Sequence, residues 1–232
     1  MKTETENNTA GPGMARRSFL RYAGIGAASI GLVATAASCH KDHPVTPPSA
    51  GIDVGAGDTG ILNFAYALEQ LEAAFYIQVI ATPYSGMSPA ELTALTSIRD
   101  HEILHRNFFK AALGTSAIPA LTVDFSSINF TSRASVLAQA KAFEDTGVMA
   151  YDGAGYLLQN PTYLTLAGKI VSVEARHAAL IRDLITPGSF VGSDVVDSNG
   201  LNNSLTIAQV LPIANTYLKT KVSAASYNYK AS

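Results

Sequence analysis

The sequence predicts an all-α protein: a four-helix bundle with a long crossover between helices 2 and 3 and a C-terminal extension. Two observations predict this fold. Four successive segments carry apolar residues at helical spacing, and the stretch between the second and third, 115–131, is long enough to cross the bundle. With 232 residues, 47% of them hydrophobic and 15% charged, the chain can bury one sizeable core and is too apolar to be disordered throughout.

The first two helices have recognisable ends. The first is predicted over 59–81, where Asp58 or Thr59 could supply the N-cap. The second is predicted over 88–113, because Ser88 begins a Ser-Pro-Ala-Glu sequence that combines a capping box with proline at the first helical position.

The later helices are marked less sharply. The third is predicted over 132–159 and is weakened by three glycines. The fourth begins at Asn160, which precedes a proline, and runs to about Ile185. A weaker fifth segment covers 205–221, where Pro212 either interrupts the helix or defines its start.

The N-terminus is predicted to be a targeting segment. Arg16 and Arg17 precede a weakly apolar run rich in glycine and alanine, which is typical of a bacterial twin-arginine signal and short for a membrane span. The alternative is a chance arginine pair beside an N-terminal helix. The only cysteine, Cys39, ends a sequence similar to a lipobox, although ordinary cleavage nearby would leave it a free thiol.

These observations divide the chain into four parts. Residues 1–38 are the predicted signal, 39–57 a flexible tether, 58–190 the bundle, and 191–232 a loop and a C-terminal helix packed on it. We expect export by the twin-arginine route to the periplasm or cell envelope, with a lipid on Cys39 as membrane anchor. A net charge of −2 argues against a nucleic-acid partner, and one cysteine excludes a disulfide framework and Cys-rich metal sites.

The chemistry-bearing residues occur as an internal duplication. Two helices contain Glu-x-x-His, whose spacing puts both side chains on one helix face, and the other two contain Glu-x6-Tyr. In chain order the residues are Glu69 and Tyr76, Glu102 and His105, Glu144 and Tyr151, and Glu174 and His177. One Glu-x-x-His is weak evidence, but two copies on alternate helices, each preceded by a glutamate-bearing helix, favour a shared site.

The charges of this set predict a dinuclear metal site. Four glutamates directed into an apolar bundle would repel one another and lose their hydration, whereas two divalent ions would balance them. Two neutral imidazoles could complete the ligand shell. Such hard donors suit iron or manganese, and zinc is not excluded. The alternative is a bundle that carries the motif without metal.

The segments 62–76, 147–154 and 173–184 resemble the ferritin-like superfamily of di-iron and di-manganese carboxylate bundles. More narrowly, they resemble the ferritin-like domain family that includes plant and bacterial desiccation-related proteins. The superfamily pattern is one glutamate from each of two helices and Glu-x-x-His from each of the other two. The resemblance covers about 59–190. It implies that the metal ligands are Glu69, Glu102, His105, Glu144, Glu174 and His177.

The role of Glu72 stays open at this point. It lies three residues after Glu69 on the same face, so it could be an extra ligand, a bridging carboxylate or a nearby base. The alternative is a partly buried glutamate paired to Arg106 or Arg176. Its counterpart in the second half of the chain is Gly147, which has no side chain.

Three further side chains lie near the predicted ligands. Tyr76 and Tyr151 follow their glutamates by two helical turns, so they could hydrogen-bond the carboxylates or simply pack in the core. His101 precedes Glu102 directly, and consecutive helical residues point roughly 100° apart. His101 is therefore predicted not to be a ligand.

Two classes of function fit these residues. The first is an oxidase, peroxidase or catalase-like protein that handles O₂ or H₂O₂ in stress protection. Because the sequence has only one cysteine, it cannot form a Cys₄ electron-transfer module, and any electron donor would be an external partner. The second is a non-catalytic stress-related or surface-binding bundle in which the metal is only structural. The catalytic residues are unknown at this stage, and a homo-oligomer is left open.

Overall fold

The computed structural model describes residues 51–231. Its α-helices within that range are α1 (Gly57–Ala81), α2 (Pro89–Leu113), α3 (Arg133–Gly155), α4 (Pro161–Ile185) and α5 (Ile207–Asn215). The prediction of an all-α bundle with a long crossover is confirmed. The predicted signal residues Arg16 and Arg17 and the predicted lipidation site Cys39 lie outside the described residues. Within 51–231, no helix combines the length and apolar character needed to cross a membrane.

Helix α1 is the central element of the bundle. It packs most extensively against α2, as α3 does against α4, and it also contacts α3 and α5. Every residue from Gly60 to Ala73 is buried, so this helix is enclosed around its whole circumference. Phe75, on the same helix, packs edge-on against Phe143 of α3 with ring centroids 5.2 Å apart. The core therefore runs along α1 and surrounds the polar residues that α1 carries.

Polar side chains on α1 hold the crossover in place. Asn63, only 3% exposed, donates through Nδ2 to the carbonyl oxygens of Val54 and Ser116, and its Oδ1 accepts the Ile118 amide at 2.9 Å. Gln70 accepts the Leu121 amide at 2.8 Å. These bonds satisfy backbone groups between 116 and 121, a stretch without α-helix or strand.

The predicted helix ends are right in part. Ser88 forms the expected capping box with Glu91 at the start of α2. The prediction that Asp58 or Thr59 caps α1 is wrong, because α1 begins at Gly57, two residues before the predicted start, and its N-cap, Ala56, offers no side-chain bond. Asp58 instead accepts the backbone amides of Gln159 and Asn160, at 2.8 and 2.9 Å, just before α4. It therefore joins the starts of two helices that are distant in sequence.

The end of the third helix and the C-terminal helix also differ from prediction. Helix α3 stops at Gly155 instead of continuing to 159, and α5 is shorter than predicted, with Pro212 inside it. Leu205 approaches α3 so closely that a Cβ at Gly153 would lie 1.9 Å from the Leu205 carbonyl oxygen. Its amide donates to the Met149 carbonyl at 2.9 Å. Glycine is therefore required at position 153.

The last part of the predicted tether is ordered. Strand β1 (Ile52–Asp53) pairs in parallel with β2 (Val222–Ser223), and the Val54 amide donates to the Ser223 carbonyl at 2.9 Å. The prediction of a flexible segment as far as residue 57 therefore differs from the structure in this stretch. Strands of two residues show no periodicity in sequence, so hydropathy could not reveal them. The pairing ties the C-terminal segment to the entrance of α1.

Candidate metal centre

The six residues predicted as ligands meet in the interior of the bundle. Helices α1 and α3 each contribute one glutamate, and α2 and α4 each contribute a glutamate and a histidine. All four glutamates are 0% exposed, whereas the two histidines lie slightly closer to the surface. Because residues three apart share a helix face, each Glu-x-x-His directs both of its side chains to this point.

The side chains form two overlapping groups of four. In each group, one potential ligand atom from every residue lies within 4.8 Å of the others. The first group is Glu69, Glu102, His105 and Glu174, and the second is Glu102, Glu144, Glu174 and His177. Glu102 and Glu174 belong to both groups. The arrangement therefore offers two adjoining metal positions that share two carboxylates.

The histidines enter the cluster through the same ring nitrogen. His105 Nδ1 lies 2.7 Å from Glu174 Oε1 and 3.5 Å from Glu69 Oε2. His177 Nδ1 lies 2.9 Å from Glu102 Oε1 and 3.5 Å from Glu144 Oε2. The two halves of the chain thus place the same ring nitrogen of each histidine against two cluster carboxylates.

The buried atoms of the cluster lack ordinary hydrogen-bond partners. Among the described residues, the side-chain atoms without a partner include Glu69 Oε2, both oxygens of Glu102 and Glu174, Glu144 Oε2, and Nδ1 of His105 and His177. The short distances between them do not have hydrogen-bond geometry. Buried polar atoms are normally bonded, so eight orphaned atoms in one cluster require an explanation. Carboxylate oxygens and imidazole nitrogens that converge in this way fit divalent metal ions.

Without a cation, burial and mutual repulsion shift the pKa values of the cluster carboxyl groups and histidines. Burial raises the pKa of Glu144 to about 7, although His177 beside it acts in the opposite direction. Burial would also raise the pKa of Glu174, but its contacts with His105 and His177 lower it to about 2. Burial would lower the pKa of His105, yet the carboxylates of Glu174 and Glu69 raise it to about 10. The imidazolium ions thus balance only part of the carboxylate charge.

Tyr76 and Tyr151 bond the cluster across the two halves of the chain. Tyr76 Oη donates to Glu144 Oε1 at 2.6 Å, and Tyr151 Oη donates to Glu69 Oε1. Each tyrosine therefore holds the glutamate of the other half. Of the two predicted roles, hydrogen bonding to the carboxylates or packing in the core, both tyrosines have the first. Burial raises the pKa of each phenol well above its usual value, so both remain protonated donors. The second oxygen of each glutamate stays directed into the cluster.

The matched family model agrees with this architecture. A model described as a ferritin-like domain matches residues 57–187, more than half of the chain. The chain belongs to the ferritin-like domain family. The matched range begins at the first residue of α1 and ends just after α4, so it contains the whole four-helix bundle and all six predicted ligands. A comparison with curated proteins gives no match.

Glu72 is a further buried carboxylate beside the four glutamates of the cluster. It is 4% exposed and belongs to neither group of four. The predicted pairing with Arg106 or Arg176 is wrong: Arg176 donates to the Ser172 carbonyl, and Arg106 donates to Asn107. Burial, and then the negative charge of Glu102 and the other cluster glutamates, raises the pKa of Glu72 well above its usual value.

His101 is the residue near the site whose role sequence reasoning missed. As predicted, it belongs to neither ligand group. Its Nδ1, however, lies 2.9 Å from Nε2 of His177, so it contacts one of the predicted ligands from outside. The sequence shows only that His101 and His105 are four residues apart and therefore lie near each other on one face of α2; it does not show that His101 contacts His177 of α4.

Proposed function

We propose that this ferritin-like protein binds two iron or manganese ions and acts on O₂ or H₂O₂. One observation carries the proposal: two four-residue groups share Glu102 and Glu174, and their ligand atoms are buried without hydrogen-bond partners. The ligands we assign are Glu69, Glu102, His105, Glu144, Glu174 and His177. Zinc also accepts carboxylate and imidazole ligands but would not support redox chemistry.

The protein's own groups would orient the site and keep it dry. A bound pair of iron or manganese ions would supply redox chemistry toward dioxygen species. Tyr76 and Tyr151 hold one oxygen of Glu144 and Glu69 and leave the other free for a metal. A cavity of about 20 Å³, lined by apolar side chains such as Leu68 and Phe109, lies against the Tyr151 ring.

We also propose where the protein works and what it needs. The Arg16-Arg17 pair supports export by the twin-arginine route, and Cys39 supports a lipid anchor in the cell envelope. The envelope setting and the sequence resemblance support a role in desiccation or oxidative stress. Catalytic reduction of O₂ would need an external electron donor, whereas disproportionation of H₂O₂ would not.

The metal content of the purified full chain tests the first part of the proposal. We expect about two iron or manganese ions per chain, because the two ligand groups adjoin. The double variant Glu102→Gln with Glu174→Gln removes both shared carboxylates while preserving their shape and should lose both ions. Asp100→Asn, at an exposed position on α2, is the matched control and should keep them. No uptake by the wild type after anaerobic reconstitution would overturn the proposal.

Activity assays on the same proteins separate an enzyme from a structural metal protein. Catalytic H₂O₂ disproportionation, or O₂ consumption with added Fe²⁺ or a reductant, should occur with the loaded wild type and Asp100→Asn only. A loaded protein that melts at a higher temperature but turns over none of these would contradict the enzymatic proposal. It would support the alternative in which metal only holds the glutamates together.

A further inference from the structure

The duplicated halves differ at the residue before each Glu-x-x-His. On α2 this residue is His101, and on α4 the equivalent residue is Val173. A histidine side chain can donate or accept a hydrogen bond, whereas a valine side chain can do neither. The surroundings of the two predicted histidine ligands are therefore unequal.

The contact between His101 and His177 has the geometry of an N–H···N bond. His101 Nδ1 and His177 Nε2 are 2.9 Å apart. The ring planes differ by 10° and the centroids are 5.1 Å apart. With so short an N···N distance, that centroid separation places the rings edge to edge and nearly coplanar. Since the other nitrogen of His177 lies in the cluster, 2.9 Å from Glu102 Oε1, both of its nitrogens are engaged.

This contact determines which nitrogen of His177 is available to a metal. A neutral imidazole carries one N–H, and a metal binds the other nitrogen. If the lone pair of His101 Nδ1 accepts the proton on His177 Nε2, then His177 Nδ1 keeps its lone pair and faces Glu102, Glu144 and Glu174. Hydrogen-bond partners of this kind orient a ligand and increase its basicity, and their loss reduces metal affinity by about 10- to 100-fold.

His105 has no comparable support. Its Nδ1 lies among Glu69, Glu102 and Glu174, but no hydrogen bond to its Nε2 occurs within residues 51–231. Val173, which occupies on α4 the place that His101 occupies on α2, cannot provide one. Among residues 51–231, the ring of His105 is thus held only by packing and by its contacts within the cluster.

We propose that His101 is a positioning residue that makes the two metal positions unequal. The position formed by Glu102, Glu144, Glu174 and His177 binds its ion more tightly and fills first, and the position containing His105 fills second. The inference rests on the proposed function, because it needs two metal positions. It adds an order of loading and assigns a role to a histidine that does not itself bind the metal.

Anaerobic calorimetric titration of the metal-free full chain with Co²⁺ tests the inference. We expect two resolved binding steps in the wild type. His101→Ala should weaken the tighter step by about 10-fold or more and leave the other nearly unchanged. His101→Gln, which restores an acceptor oxygen, should recover part of the affinity. Val173→Ala, the matched control, should change neither step, and Val173→His should strengthen the weaker one.

The identity of each step follows from two further variants. His177→Ala should remove the tighter step, and His105→Ala the weaker. Visible absorption of the first Co²⁺ equivalent should change in His101→Ala and return toward the wild-type spectrum in His101→Gln. Equal affinities in the wild type, or unchanged steps in His101→Ala, would overturn this inference while leaving the proposed function standing. Absence of Co²⁺ uptake by the wild type would overturn both.

Discussion

Glu72 and Gly147 face each other inside the bundle: a Cβ added at Gly147 would lie 3.0 Å from Glu72 Oε1. The two residues hold equivalent positions, three residues after Glu69 and Glu144. The duplication therefore brings one position of each half against the other, and only one large side chain fits there. Because that side chain is a carboxylate, five buried glutamates instead of four lie together at the cluster.

Gly147→Ala should destabilise the protein because of Glu72. Overpacking a buried contact costs about 1–3 kcal/mol, which equals or exceeds the roughly 1 kcal/mol that alanine gains over glycine in a helix. Urea unfolding of the metal-free chain would measure the difference. In a Glu72→Ala background the same substitution should become neutral or stabilising, since the opposing carboxylate is gone.

Gly168→Ala on α4 is the control for that experiment. A Cβ at this position would meet nothing within 4 Å, so only the helix-propensity gain of about 1 kcal/mol should remain. If Gly147→Ala and Gly168→Ala stabilised the chain equally, the close approach of Glu72 to α3 would be contradicted.

Glu72→Gln should stabilise the metal-free protein increasingly as pH rises. The folded state holds the pKa of Glu72 well above 4.5, through burial and then through the neighbouring carboxylates. The stability contribution of such a group is full below its unfolded pKa and is lost as pH rises through the folded pKa. Glutamine has no ionisable carboxyl group, so the Glu72→Gln variant does not lose stability in this way as pH rises. Melting temperatures of the two proteins should therefore diverge above about pH 5, and a constant difference across pH would show that Glu72 is not responsible.

The whole cluster should make the metal-free protein less stable at higher pH. Glu144, with its pKa raised from 4.5 to about 7, loses its contribution over that interval. His105, with its pKa raised from 6.5 to about 10, loses its contribution as pH rises over that range. Glu174, with its pKa lowered to about 2, acts only on the acid side, where its contribution is lost as pH falls from 4.5.

Bound metal should reverse this trend. Metal ligands must be deprotonated, so metal affinity rises with pH while the metal-free protein weakens. The difference in melting temperature between loaded and chelator-treated protein should therefore widen from about pH 5 to pH 8. The Glu102→Gln, Glu174→Gln double variant should show no such widening. A difference independent of pH would argue against binding through these carboxylates.

The sequence was informative where chemistry follows from local spacing. Glu-x-x-His fixes two side chains on one face without any knowledge of the fold, so four of the six ligands could be predicted from spacing. Glu69 and Glu144 were predicted from the Glu-x6-Tyr repeat and from the resemblance to the ferritin-like superfamily. The contact between His101 and His177 depends on how α2 and α4 are rotated against each other, which one helix cannot reveal. The role of Asp58 also depends on a distant segment, since it bonds amides about a hundred positions later in the chain. Such long-range contacts produce no periodic pattern in the sequence.

Replacing the two tyrosines should affect the two metal positions separately. Tyr151→Phe removes the donor to Glu69, and Tyr76→Phe removes the donor to Glu144. A buried charged acceptor that loses its partner costs about 1–3 kcal/mol, so each variant should lower the stability of the metal-free protein. Because the bonds cross between the halves, Tyr151→Phe should weaken the position that contains His105, and Tyr76→Phe the position that contains His177.

Metal titration of the metal-free tyrosine variants distinguishes this crossed arrangement from simple packing. If the tyrosines only filled space, phenylalanine would serve equally well and neither binding step would change. If each tyrosine supported the glutamate of its own half, the two effects would be exchanged between the steps. Tyr163→Phe on α4 is a suitable control, since this tyrosine packs against the core and has no contact with the cluster among the described residues. It should leave both steps at their wild-type affinities.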